Sequence, residues 1–134
     1  MLVVSVVIFC LVGLGLIGMG YRFISADPPV DYHDEILSST AVTDEVKQVL
    51  GALYKGMGGT FVALGLGTIL IAVSGVWNDL FMAKLTLLVM CCVTAAFTAT
   101  AARTLEQQSS VRTPWRIAAG LVGTSVLAFV LSLL

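Results

Sequence analysis

Residues 43–77 constrain the fold of this chain more than any other stretch. They form one long run that is rich in apolar residues and glycine, with Lys55 set deep inside it. A helix of about 20 residues is enough to cross the hydrocarbon core of a bilayer, so this run can span it with turns to spare. Three other apolar runs are also long enough, and the sequence therefore predicts an all-α membrane protein, a four transmembrane helix bundle, with spans at about 2–22, 46–75, 80–102 and 115–134.

Composition supports a single membrane domain over residues 1–134. The chain is 58% hydrophobic and 11% charged, whereas soluble domains carry roughly a quarter charged residues. Its net charge of −1 provides no basic surface for nucleic acid. Cys10, Cys91 and Cys92 all lie inside apolar runs, where thiols behave as small hydrophobic groups rather than as a disulfide framework. Because the first run has no basic residue ahead of it and is long, we expect a retained helix instead of a cleaved signal peptide.

Two polar loops are predicted, at residues 23–43 and 103–113. The first contains His33 among four acidic residues, which raises the question of a divalent-metal site; the acidic residues are Asp27, Asp31, Asp34 and Glu35. The spacing matches neither an EF-hand loop nor an HExxH helix, so a solvated acidic loop is favoured and no metal ligand is predicted. A short interfacial helix at about residues 34–38 fits the length of this loop.

Small residues recur along the second span at helical spacing. Gly51, Gly58 and Gly65 are spaced by seven, and Gly59 begins a second such row. Surfaces of this kind let helix backbones approach closely in lipid, so these four glycines are predicted to pack against other helices. Lys55 lies four residues after Gly51 and three before Gly58, and it is therefore predicted to point toward other helices. On the first span, Gly15 and Gly18 are predicted to share a packing face.

Lys55 has two interpretations. As a structural residue it extends its stem toward the membrane surface, as Lys84 is also expected to do. As a functional residue it contributes to a polar site for a quinone, a lipid or an anion, since intramembrane charge is costly and usually serves a purpose. The candidate ligand-binding residues of that second interpretation are Lys55, Tyr32, His33, Glu45 and Thr98.

The distribution of basic residues predicts the orientation. With four spans, both polar loops lie on one side and both termini on the other. The loop side carries most of the Lys and Arg residues, namely Arg22, Lys47, Arg103, Arg112 and Arg116, whereas the terminal side carries Lys84. By the positive-inside rule, the loops are predicted to be cytoplasmic and the termini outside.

Several short motifs resemble a known group of proteins. They are Tyr32-His33, the LYKGMGG stretch at residues 53–59 with the ALGLG that follows it, and Thr113-Pro114-Trp115 before the last span. With these motifs the chain resembles small bacterial four-helix membrane proteins of the broad DoxX-like group. The resemblance implies a multi-pass protein of the bacterial inner membrane. Some members of that group are linked to thiosulfate:quinone oxidoreduction or to membrane oxidoreductase complexes, but no catalytic residue of theirs matches a position here.

Two functional hypotheses follow. The first is a non-enzymatic helix-packing protein or accessory subunit, in a homo-oligomer or with a partner membrane subunit, because small-residue faces are abundant and no nucleophile–base constellation is evident. The alternative is binding or transport of a small molecule at a polar site around Lys55. Neither hypothesis requires a cofactor, no catalytic residue is predicted, and the lipid bilayer is the one partner that both share.

Overall fold

The computed structural model describes residues 1–27, 29, 32–37, 42–109, 111–113 and 115–134. Within these ranges the chain forms helices and no strand. The α-helices are α1 (Leu2–Ser25), α2 (Tyr32–Leu37), α3 (Asp44–Ile71), α4 (Phe81–Ser109) and α5 (Trp115–Leu133), and α3 continues into a π-helical segment, Ala72–Val76. Four of these helices are long and apolar enough to cross a membrane, α3 doing so together with its π-helical end. The predicted all-α four-helix fold is confirmed.

The helix ends follow local sequence signals where they agree with the prediction, and composition explains where they differ. Thr43 caps α3 by accepting a hydrogen bond from the Val46 amide at 3.5 Å, and Asp44 and Glu45 occupy the first turn, where carboxylates favour the helix dipole. Helix α4 runs on to Ser109, into the stretch expected to be a polar loop. The residues beyond 102 include leucine, glutamate and glutamine, which are good helix formers, so polarity there does not end the helix.

Helices α1 and α3 pack against each other through glycine. A Cβ atom added to Gly58 would lie 2.6 Å from the Gly20 carbonyl oxygen, and one added to Gly65 would lie 2.5 Å from the Gly13 carbonyl oxygen. The reverse contacts are equally close, at 2.6 Å from Gly20 to Gly58 and 2.8 Å from Gly13 to Gly65. The two antiparallel backbones therefore touch at two levels, and these glycine pairs are called the glycine seam below.

Helix α5 packs against both α1 and α4. The Ser5 hydroxyl donates a hydrogen bond of 2.7 Å to the Ala128 carbonyl oxygen, in a fully buried contact between α1 and α5. Phe9 and Leu87, both fully buried, fill the core at this end of the bundle. The four long helices are thus arranged in the order α3, α1, α5, α4.

The side between α3 and α4 is closed at one end and open at the other. At the end near the termini, Gly75 of the π-helical segment packs against Ala83 of α4. A π-helical turn and the left-handed backbone of Asp79, with φ of 59°, let the chain turn sharply into α4 there. Toward the other end, α3 and α4 make almost no contact, which leaves a gap between them.

Candidate functional site

The gap between α3 and α4 is a cleft of about 670 Å³. Its floor is formed by Met19 and Phe23 of α1 and Ala118 of α5, and its walls by α3 and α4. At its mouth lie four apolar side chains that are largely exposed, Leu53, Met57, Phe97 and Ile117. The volume falls in the range of ligand-binding clefts, roughly 300–1,000 Å³. Because the mouth lies on the side of the bundle, it would face lipid in a membrane.

Polar groups are concentrated at the end of the cleft that α2 covers. Tyr54, of which 3% is exposed, and His33 share a hydrogen bond of 2.5 Å between the Tyr54 hydroxyl and the His33 Nδ1. The two rings also stack, with centroids 5.5 Å apart, and Phe23 packs at 5.7 Å from the Tyr54 ring. Arg22, in the last turn of α1, lines the same cleft. One cation and one hydrogen-bonded Tyr–His pair therefore lie beside an otherwise apolar surface.

A smaller cavity of about 30 Å³ adjoins the inner end of the cleft. The two share Met19, Phe61, Thr98 and Ala118 as lining residues, and the smaller one extends to Cys91, Thr94 and Leu121. The Thr98 hydroxyl donates to the Thr94 carbonyl oxygen at 2.8 Å, so it is satisfied within its own helix. We call this cavity the inner chamber; it continues the apolar path toward the middle of the bundle.

The prediction that Lys55 points toward other helices is wrong. Lys55 is exposed and does not line the cleft, whereas Tyr54 is buried. The buried face of α3 is formed by Tyr54, Gly58, Phe61, Gly65 and Thr68. At 3.6 residues per turn, its centre is displaced about 40° from Gly58 toward Tyr54, which leaves Lys55 roughly 100° away. Placing the lysine on the glycine row alone underestimated this displacement.

The same displacement separates the four glycines predicted to pack. Gly58 and Gly65 lie in the glycine seam, while Gly51 is half-buried. Gly59 is exposed, and a Cβ atom there would meet nothing within 4 Å, so it does not pack within this chain. On α1 the packing glycines are Gly13 and Gly20, and the expected face with Gly15 and Gly18 is open.

The remaining candidate ligand-binding residues are divided between the cleft and the surface. His33 and Thr98 line the cleft. Glu45 is exposed in the first turn of α3 and does not line it. Tyr32 begins α2, but its side chain lies outside the described part of the structure.

Lys84, expected to extend toward the surface, is instead the buried lysine. Only 4% of it is exposed, and its Nζ donates hydrogen bonds of 2.5 Å to Asp79 Oδ1 and to the Ser132 carbonyl oxygen. Ser132 lies in the last turn of α5, so the ammonium group satisfies a carbonyl at a helix end, where a cation is also favoured by the dipole. Lys84 therefore ties α4, α5 and the turn before α4 together.

The connection between α4 and α5 is organised by Glu106 and Thr113. The Thr113 hydroxyl donates to the Ala102 carbonyl oxygen at 2.8 Å, and the Thr113 amide donates to Glu106 Oε2 at 2.8 Å. Arg116 pairs with Glu106 at 3.4 Å and lies 4.9 Å from the centre of the Trp115 ring. Pro114, expected at the first helical position, lies outside the described residues.

Arg22 and Tyr54 are the cleft residues that were absent from the sequence-based set. Tyr54 could have been found, because the buried residues of α3 alternate in steps of four and three, and extending that pattern from Gly58 leads to Tyr54. Arg22 gives no comparable signal, since its position in the cleft depends on how α1 meets α4. In the described ranges, no group of three His, Cys, Asp or Glu side chains is arranged to hold a metal ion.

Comparisons of the chain with protein families, with characterised proteins and with solved structures found no match.

Proposed function

We propose that this protein binds a membrane amphiphile, a lipid or a quinone, in the cleft between α3 and α4. The observation that supports it is the cleft itself, about 670 Å³ in volume, apolar along its length and polar at one end. A molecule with an apolar tail and a polar head matches that division, and it can reach the site sideways from the bilayer. This is the small-molecule alternative from the sequence, with the site moved from Lys55 to the cleft.

The proposal can be tested by blocking the cleft. Ala101 is an exposed lining residue, so Ala101→Trp would fill the cleft without replacing a buried side chain. Ala96 is exposed on the same helix but does not line the cleft, which makes Ala96→Trp the matched control. Organic extracts of the purified proteins would be compared by mass spectrometry with extracts of the membranes from which they came.

A lipid or quinone species enriched with the unmodified protein and with Ala96→Trp, and lost from Ala101→Trp, would support binding in the cleft. Extracts of Ala101→Trp and the unmodified protein that do not differ would exclude it.

We place the protein in the bacterial inner membrane, with the α2 end in the cytoplasm and both termini outside. The support is the set of basic residues at the α2 end, together with the pairing of Lys84 with Asp79 at the other end. A reporter fused to the C-terminus that is active only outside the cytoplasm should be active. Membership of the DoxX-like group stays a prediction that rests on the short motifs.

A second candidate function is the packing or accessory role predicted from the sequence. It is favoured by glycines on exposed faces, where an added Cβ would meet nothing within 4 Å; they are Gly15, Gly18, Gly56, Gly59, Gly67, Gly120 and Gly123. Such positions let another helix approach closely. Crosslinking in native membranes should then capture a second subunit, and Gly59→Leu should reduce the yield. A protein that is monomeric in the membrane would count against this role.

A further inference from the structure

The cleft is polarised along its length. Arg22, His33 and Tyr54 lie at the α2 end, and beyond them the lining is apolar except for Thr98, whose hydroxyl is bonded within α4. Among the lining side chains that the structure describes, Arg22 is the only one with a permanent charge. The acidic residues of α2, Asp34 and Glu35, are exposed and are not part of the lining. The charge presented to a bound molecule is therefore positive.

The glycine seam fixes the position of this charge. Gly20 and Gly58 touch two residues before Arg22 on α1 and one turn after Tyr54 on α3. Because the two backbones cannot slide at that level, Arg22 and Tyr54 are held at the same end of the cleft. The Tyr54–His33 hydrogen bond then brings α2 onto this end. Hydrogen-bonding groups and a guanidinium thus converge on one part of an otherwise apolar site.

The length of the apolar part matches one leaflet. From Leu50 to Phe61 the lining follows α3 over eleven residues, which corresponds to roughly 16 Å at 1.5 Å per residue. The inner chamber adds the level of Thr94 and Cys91 on α4. Half of the hydrocarbon core of a bilayer is about 15 Å thick. A single acyl chain from the adjacent leaflet therefore fits the path from the polar end to the chamber.

We propose that the amphiphile bound in the cleft is anionic, with a carboxylate or phosphate head at Arg22 and an acyl chain that runs past Phe61 into the inner chamber. This inference rests on the proposed binding function and adds the chemical class of the ligand. A guanidinium recognises carboxylate and phosphate through paired, charge-assisted hydrogen bonds, which are stronger than neutral ones. Because the site is mostly apolar, that interaction is also less screened than it would be in water.

The test uses two probes that differ only in the head group. Hexadecanoate and hexadecanol, each carrying a diazirine near the end of the chain, are incubated with the full-length protein in nanodiscs of zwitterionic phosphatidylcholine and then irradiated. Hexadecanoate should label the protein about tenfold more efficiently than hexadecanol, as expected for one charge-assisted contact. The label should lie in α4 and α5 near Thr94 and Leu121, which line the inner chamber.

Variants and competitors refine the result. Arg22→Gln should reduce the preference for hexadecanoate severalfold, whereas Lys55→Gln, which removes a cation that does not line the cleft, should preserve it. Unlabelled hexadecanoate and dioleoyl phosphatidic acid should both compete with the probe. Inorganic phosphate at the same concentration should not, because it has no chain to fill the apolar part.

The possible outcomes separate the two proposals. Equal labelling by the two probes, lost in Ala101→Trp, would overturn the anionic class and leave binding of an amphiphile in place. No labelling of the cleft by either probe would overturn both. Competition by inorganic phosphate alone would overturn the assignment to an amphiphile. Because the comparison of the probes uses the unmodified protein, it holds even if Arg22→Gln folds poorly.

Discussion

Helix α3 meets its two neighbours in opposite ways. Toward α1 it presents Gly58 and Gly65, and the backbones touch with no room for a Cβ atom. Toward α4 it presents Leu53 and Met57, and a cleft of about 670 Å³ separates the helices. The two sides belong to one helix of similar apolar composition throughout, so hydrophobicity does not distinguish them.

The difference shows that side-chain volume, more than polarity, determines where these helices join. In lipid there is little hydrophobic gain from helix association, and close packing has to supply the attraction. Glycine permits that packing on the α1 side. On the α4 side, bulky residues hold the helices apart except at the π-helical end, where Gly75 again allows contact with Ala83. The closed side provides stability and the open side provides the space for a ligand.

The largest effect is expected from closing the space in the glycine seam. In Gly58→Ala the new methyl group would lie 2.6 Å from the Gly20 carbonyl oxygen and 3.1 Å from the Ile24 amide nitrogen, so a backbone has to move. We expect a loss of about 3 kcal/mol in the free energy of unfolding, at the upper end for overpacking. Titration with sodium dodecyl sulfate in mixed micelles, followed by circular dichroism, measures it.

The adjacent glycine is the control for this prediction. Gly59→Ala places its methyl group in open space and should change the same free energy by less than about 0.5 kcal/mol, toward higher stability because alanine favours helix. Equal losses in the two variants would show that the seam is not what holds α1 to α3.

The closed end of the α3–α4 side depends on Lys84. Lys84→Met removes its bonds to Asp79 and to the Ser132 carbonyl, leaving that carbonyl without its donor. Since Asp79 is itself 73% exposed, its charge stays solvated, and we expect a loss of about 2 kcal/mol, less than for a fully buried pair. The same unfolding titration measures it. Lys47→Met, at a surface pair with Asp44 of 3.8 Å, should cost less than about 0.5 kcal/mol.

How far the sequence predicts this molecule can be seen from these residues. The length and apolarity of the runs sufficed for the four helices, because crossing a bilayer leaves few alternatives. Spacing also identified Gly58 and Gly65 as packing positions. It could not separate Gly58 from Gly59, since each lies on a row of small residues and the choice between rows depends on a partner helix.

The cleft was harder to predict than the helices. His33 and Thr98 were among the candidate residues, but Arg22 and Tyr54 enter the site through the way α1, α3 and α4 are arranged. The lysines show the same limit. Lys84 lies near the end of its span like a surface residue, and only the position of the last turn of α5 reveals that it is buried.

At the open end, the Tyr54 hydroxyl joins α3 to α2. Tyr54→Phe keeps the ring and its contact with Phe23 but removes the hydrogen bond to His33. We expect a loss of about 1 kcal/mol in stability, the usual contribution of one such bond. Hydrogen exchange of the amides in α2 should become faster while exchange in the glycine seam stays unchanged. Unchanged exchange in α2 would show that the hydrogen bond does not hold it in place.

The smallest effect is expected at Lys55, which faces neither the seam nor the cleft. Lys55→Gln should change the free energy of unfolding by less than about 0.5 kcal/mol, because an exposed lysine with a flexible stem loses little when its charge is removed. Labelling of the cleft by the hexadecanoate probe should be unchanged as well. A loss of labelling with normal stability would restore the site around Lys55 that the sequence first suggested. It would also show that the ligand reaches around the outer face of α3 rather than lying between α3 and α4.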